Sequence, residues 1–207
     1  IPPLPVDYIK RQGHPDMIYV NGIGQKNIFC NKLGWKKNEV QSITSLRYKK
    51  KIKKSLNKNI IFPYFIEDEE KLFYYFQKLI LSKKLNFFPK LKVKNHPAMN
   101  TSKKHLRLIE KLNNFLKKNN KIFKNTNKND NICICFGSTA AVAECLERGY
   151  QVFHICCDPI LEKLDSFYWI DVKVFMLNFN TYEYKLKKKG KIIKLNNLKR
   201  KKFLPDN

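Results

Sequence analysis

The chain has 207 residues, 43% of them hydrophobic and 13% aromatic, enough to bury one good core, with or without appendages. No apolar run approaches the roughly 18 residues that a membrane-spanning helix needs. The net charge of +25, from 42 Lys and Arg against 17 acids, suits nucleic acid, an anionic membrane surface or a phosphorylated ligand. The abundance of Lys, Asn, Ile and Phe fits an AT-rich coding bias equally well, so charge alone selects no function.

Residues 1–16 carry Pro2, Pro3, Pro5 and Pro15 and no usable periodicity, and read as an extended connector. The start is neither a signal peptide nor an initiator Met, so the chain reads as a piece of a longer protein. Met17 to Val20 is a short apolar run ended by Asn21-Gly22, and a weak helix through Ile28 and Leu33 closes at Gly34. Ile60 to Phe62 is a strand candidate. After it the acids Glu67 to Glu70 open a helix whose stripe is Leu72, Phe73, Phe76, Leu79 and Ile80.

Leu91 to Lys94 is a short strand running into His96-Pro97. A second helix begins near Ser102, with Leu106, Ile109, Leu112 and Leu116 read as its apolar face. Residues 117–130 are mostly Lys and Asn around Ile122-Phe123, a candidate edge strand. Ile132 to Phe136 is a buried strand, Thr139 to Arg148 a helix and Gln151 to Cys156 another strand. This alternation predicts parallel strands with crossover helices, a Rossmann-like, doubly wound α/β sheet. Alternation in Val172 to Leu177 and Tyr182 to Leu186, and then Ile192-Ile193, predicts short strands or a peripheral ribbon. Ten of the eighteen residues from Lys185 to Lys202 are basic. The domain is therefore expected to span 17–172, with 1–16 as linker and 173–207 as a basic extension.

Six cysteines occur, at 30, 133, 135, 145, 156 and 157, none in a CxxC spacing. They read as free, mostly buried thiols of a reducing cytoplasm. No set of metal ligands and no metal-binding acidic pair is read.

The sharpest local signal is Ile132 to Glu144, a buried strand that ends in Gly137-Ser138-Thr139 and opens at once into a helix. In a parallel sheet the carboxyl ends of the strands form the ligand crevice. A glycine there allows close backbone approach, and hydroxyls at a helix start bond a phosphate or simply cap the helix. Glu144 lies in that helix, either within reach of a ribose or sugar hydroxyl or as an ordinary exposed glutamate. His96 ends another strand, held by Pro97, and is either structural or a donor to phosphate and leaving group.

Taken together, Lys94-Asn95-His96-Pro97, Gly137-Ser138-Thr139 with Glu144, and Arg148 to Cys156 resemble the C-terminal domain of bacterial GT-B glycosyltransferases. The resemblance is to surface-carbohydrate proteins related to capsule sialyl- and Kdo-type transferases. Asp16 to Gly22, Leu33-Gly34-Trp35 and Ser45 to Tyr48 are similar to the opening of that domain, which brings Asn21 and Gly22 into the expected site.

The resemblance implies one half of a GT-B fold, in which His96 with Pro97 and Gly137, Ser138 and Thr139 hold the donor's nucleotide phosphate, and Glu144 its sugar or ribose. The implied activity is inverting, metal-independent transfer from a nucleotide-sugar to a glycan or lipid-linked acceptor, with no cofactor. A separate N-terminal domain would bind the acceptor, leaving this chain inactive alone. The expected place is the cytoplasm, with the basic tail on the inner, anionic face of the membrane and no nucleic acid as partner. Competing readings are a basic nucleic-acid binder, and an epimerase or glycerophosphate transferase on the same fold.

Overall fold

The computed structural model describes residues 13, 15–45, 59–63, 66–82, 91–95, 99, 101–119 and 131–195. The chain divides into two compact units, residues 1–54 with 190–207 and residues 55–189. The candidate edge strand at Ile122-Phe123, the motif residues His96 and Pro97, most of the 1–16 linker and the tail beyond 195 lie outside the described residues.

In the first unit, β1 (Ile18–Val20) and β2 (Val40–Ser42) pair in parallel, Ile18 opposite Val40, with α1 (Ile23–Lys32) as the crossover. A parallel pair needs such a connection. Val20, Phe29, Trp35 and Val40 form its core, with Phe29 and Trp35 edge to face. Leu33 caps α1, and Gly34 follows at φ 79, a left-handed value that glycine adopts without steric cost. Residues 191–194 join this unit through Gly24 N–H to Lys191 O at 2.5 Å, Lys194 N–H to Asn21 O at 2.7 Å and Ser45 N–H to Lys194 O at 2.9 Å. Ile192 and Ile193 are buried but form no strand.

The second unit is a six-stranded mixed sheet in the order β4-β3-β5-β6-β8-β7. Its strands are β3 (Asn59–Pro63), β4 (Lys92–Val93), β5 (Ile132–Phe136), β6 (Gln151–Ile155), β7 (Val172–Asn178) and β8 (Thr181–Leu186). The first four run parallel, β8 lies antiparallel to β6, and β7 pairs back on β8. Residues 173–186, assigned from sequence to an extension, therefore complete the sheet: their alternating side chains and the Phe179-Asn180 turn make a hairpin, and β8 finds its ladder on β6. Asn180 fixes the turn, accepting from Cys156 N–H through its backbone and donating Nδ2–H to Cys156 O, both at 2.8 Å.

Alternation along β5 sends Ile132, Ile134 and Phe136 to one face and Cys133 and Cys135 to the other. Every residue of β5 is buried, as expected for a strand covered on both faces. The first face joins Ile61, Phe153 and Ile155 under α2 (Glu69–Leu81) and α3 (Lys103–Lys118). The second carries Val152 and His154 and faces α4 (Ala141–Glu147).

Both long helices follow from their sequence starts. Asp68 accepts from Lys71 N–H at 2.9 Å with Glu69 and Glu70 in the first turn of α2, and Ser102 accepts from His105 N–H in α3. A doubly wound pattern would divide α2 and α3 between the faces, yet they share one. Phe115 of α3 sits edge to face against Phe73 and Phe76 of α2, and Arg107 bonds Glu69 at 2.9 Å. The buried stripe of α3 is His105, Leu108, Leu112 and Phe115. Leu106, expected inside, is 44% exposed.

Candidate functional site

In this sheet β3 has β4 on one side and β5 on the other, so the chain reverses its direction of growth between β3 and β5. Ligands of open α/β sheets bind outside the carboxyl ends of the strands at such a point. Here those ends are Pro63 on β3 and Phe136 on β5.

Gly137 follows Phe136 at φ 66, in the left-handed region where a side chain is strained. Its N–H donates to Ile155 O at 2.9 Å and its carbonyl accepts from His154 Nε2 at 2.7 Å. Gly137 is therefore a corner tied to β6, with both backbone polar groups engaged inside the protein. Ser138 beyond it is exposed. Thr139 is half-buried, and its Oγ1 accepts from Ala141 N–H at 3.2 Å, where α4 begins. Of the two hydroxyls expected to meet phosphate, one caps the helix backbone and the other faces solvent. Glu144 sits one turn into α4, where Arg148 grips its Oε1 through Nε at 2.8 Å and Nη2 at 2.6 Å.

At the end of β4, Lys94 N–H donates to Ile61 O at 2.9 Å, and Asn95 Oδ1 lies 2.8 Å from Nε2 of His105, a histidine only 1% exposed. Sequence reasoning passed over His105. It pins the residue that precedes His96, and the only signal was its place three residues after the cap Ser102.

Asn21 and Gly22 belong to the first unit. Asn21 N–H donates to Gln25 Oε1 at 2.9 Å and its carbonyl accepts from Lys194. A Cβ on Gly22 would fall on the carbonyl oxygen of Ile192. Close packing inside that unit thus accounts for the glycine. The structure gathers Gly137, Ser138, Thr139 and Glu144 into one strand–turn–helix.

Beside that turn lies a buried polar network absent from the sequence reading. His154 Nε2–H donates to Gly137 O, Tyr184 O–H donates to Nδ1 at 3.1 Å, and Leu164 N–H donates to the Tyr184 oxygen at 3.0 Å. Burial pulls the His154 pKa down to about 4, so the imidazole is neutral near pH 7. Burial likewise raises the Tyr184 hydroxyl and the Cys156 thiol. On the same face, the Cys133 and Cys135 sulfurs lie 3.5 Å apart, and hydrogen bonds from Cys133 and then Cys135 lower the pKa of the Cys145 thiol. All six cysteines are free, and five are buried.

A recess lined by Tyr150, Gln151, Tyr184, Lys185 and Lys189 lies at the opposite, amino end of β6. Among the described residues no helix is long and apolar enough to cross a membrane. No protein family, no curated protein and no solved structure matches the chain.

Proposed function

We propose that the chain is the donor-binding half of a GT-B glycosyltransferase that builds surface carbohydrate. The observation that carries this reading is the exposed Ser138, beside Thr139, on the turn at the carboxyl end of β5 where the sheet reverses direction. A nucleotide phosphate is the ligand that an exposed hydroxyl at such a strand end suits, in a chain with a surplus of positive charge.

In the proposed reaction an acceptor hydroxyl attacks the anomeric carbon of the donor, the bond from that carbon to the phosphate oxygen breaks, and the nucleotide departs with the electron pair. Its developing charge is met by Ser138, by His96 and by the chain's surplus of positive charge, which lowers the barrier where charge appears. The acceptor's proton passes to a base on a separate acceptor domain. Glu144, held by Arg148, would orient a ribose or sugar hydroxyl.

A calorimetric screen against CMP, UDP, GDP and CDP at two salt concentrations tests the reading. Saturable binding of one nucleotide, weakened at least tenfold by both Ser138→Ala and His96→Ala, supports it. Binding of nucleic acid instead, falling steeply with salt, would replace it with an electrostatic role.

A further inference from the structure

Three side chains of different chemistry converge just past the end of β6. His154 and Cys156 stand two residues apart, on the same side of the extended chain. Asp158 then caps the short helix α5 (Pro159–Glu162), accepting from Ile160 N–H at 2.9 Å, with Pro159 preset for the first turn. That turn brings Glu162 back, where its Oε2 accepts from Cys157 N–H at 2.9 Å. One nitrogen of His154, the sulfur of Cys156 and a carboxylate oxygen of Glu162 all lie within 4.8 Å of one another.

The spacing of the Cys156 and His154 donors and the orientation of the His154 ring are those of a metal site. Zinc bonds of about 2.3 Å to sulfur and about 2.0 Å to nitrogen, meeting at a tetrahedral angle, set the two donors about 3.5 Å apart. Cys156 Sγ lies 3.5 Å from His154 Nδ1. The other ring nitrogen, Nε2, donates to Gly137 O at 2.7 Å, which fixes the proton there and keeps Nδ1 an acceptor, its lone pair now taken by Tyr184 O–H. A histidine that binds metal is held in this way, by a carbonyl on its far nitrogen. His154 is 1% exposed and Cys156 fully buried, while half-buried Glu162 gives solvent a way in.

We propose that His154 Nδ1, Cys156 Sγ and a Glu162 carboxylate oxygen bind a zinc-class divalent cation, with a water in the fourth position. A mixed nitrogen, sulfur and oxygen donor set suits zinc over magnesium or calcium. On binding, the Cys156 thiol proton leaves to solvent, and the ion takes the Nδ1 lone pair that now accepts from Tyr184. The ion clamps α5 to the end of β6, beside the Gly137 corner. The site is independent of the donor-binding reading, and a clamp of this kind leaves glycosyl transfer metal-independent.

The test titrates the purified full chain, stripped with chelator, with Co²⁺ followed by Zn²⁺. Expected are a thiolate-to-cobalt charge-transfer band, tetrahedral d–d bands saturating at one equivalent, and displacement of both by zinc. Cys156→Ser abolishes the charge-transfer band, whereas Cys30→Ser and Cys133→Ser keep it. Glu162→Gln, at a half-buried position that leaves the fold intact, weakens cobalt binding at least tenfold. Absence of the band in the parent chain, a band unchanged in Cys156→Ser, or full affinity in Glu162→Gln would each overturn the proposal.

Discussion

Tyr184 of β8 donates its hydroxyl proton to His154 of β6, while the same oxygen accepts the backbone N–H of Leu164. One phenol thus satisfies two buried groups from two other parts of the chain. In the metal-free chain Tyr184→Phe keeps the ring packed but leaves Leu164 N–H without this acceptor and His154 Nδ1 with only the Cys156 thiol at 3.5 Å, a loss of about 1–3 kcal/mol for an unsatisfied group when no water replaces the hydroxyl. The expected outcome is a urea midpoint lowered by the equivalent of about 2 kcal/mol with an unchanged slope. A midpoint within error of the parent would show that water takes over the role of the hydroxyl.

In the metal-free chain the same histidine makes stability depend on pH with a definite sign. Its folded pKa is depressed from 6.5 to about 4 by burial. The unfolded chain therefore takes up a proton that the folded one refuses, and stability falls as pH drops from about 6.5 to about 4, by up to about 1.4 kcal/mol per pH unit. Glu162, whose carboxyl is pushed up by burial, acts in the opposite direction over the acid part of that range. The difference between the parent and His154→Gln isolates the histidine. Denaturation midpoints between pH 7 and pH 4.5 should converge as pH falls, and parallel curves would refute the assignment.

The helix α3 shows how a sequence pattern is read one position off. Leu106, Ile109, Leu112 and Leu116 satisfy helical spacing as well as Leu108, Leu112 and Phe115 do, because both stripes pass through Leu112. What decides is the partner: Phe115 must meet Phe73 and Phe76. Leu108→Ala, at a position with no exposure, should cost about 2–5 kcal/mol, whereas Leu106→Ala, 44% exposed, should cost under about 1 kcal/mol. Equal costs would mean that α3 is rotated about its axis.

The parallel strands were legible where the signal was local. Ile132 to Phe136 is too apolar to lie anywhere but inside, and Gly137-Ser138-Thr139 marks its end. What escaped depends on distant chain. The three residues of β2 carry no pattern of their own and exist as a strand because β1 offers a ladder. His154 looks like any residue of a buried strand until Tyr184, thirty residues on, arrives beside it. The join between residues 191–194 and Asn21 spans most of the chain, and nothing in either segment announces it.

Two glycines of the first unit separate packing from backbone freedom. Gly22 has an extended φ of 169, so any residue fits its backbone, but an added Cβ meets the Ile192 carbonyl, which cannot rotate away as a side chain would. Gly190 has a φ of +79 and open space around its Cα. Gly22→Ala should destabilise by about 1–3 kcal/mol through overpacking, and Gly190→Ala by about 1–2 kcal/mol through its left-handed backbone alone. A second change discriminates: Gly190→Asn should recover most of the loss, since Asn tolerates that conformation, and Gly22→Asn should recover none. Thermal denaturation of the four variants reads both.

Ser138 and Thr139 separate the two roles that the sequence leaves open for this turn, capping and phosphate binding. Thr139 Oγ1 is already spent on Ala141 N–H. Thr139→Ala should lower stability by about 0.5–2 kcal/mol, the usual cost of a lost cap. Ser138 is exposed, so Ser138→Ala should leave the denaturation midpoint within about 0.5 kcal/mol of the parent. If the turn holds a donor phosphate, that same silent substitution is the one that weakens nucleotide binding. A Ser138→Ala protein with parent stability and parent affinity would assign the turn to helix capping, and the donor site would then have to be sought elsewhere in the chain.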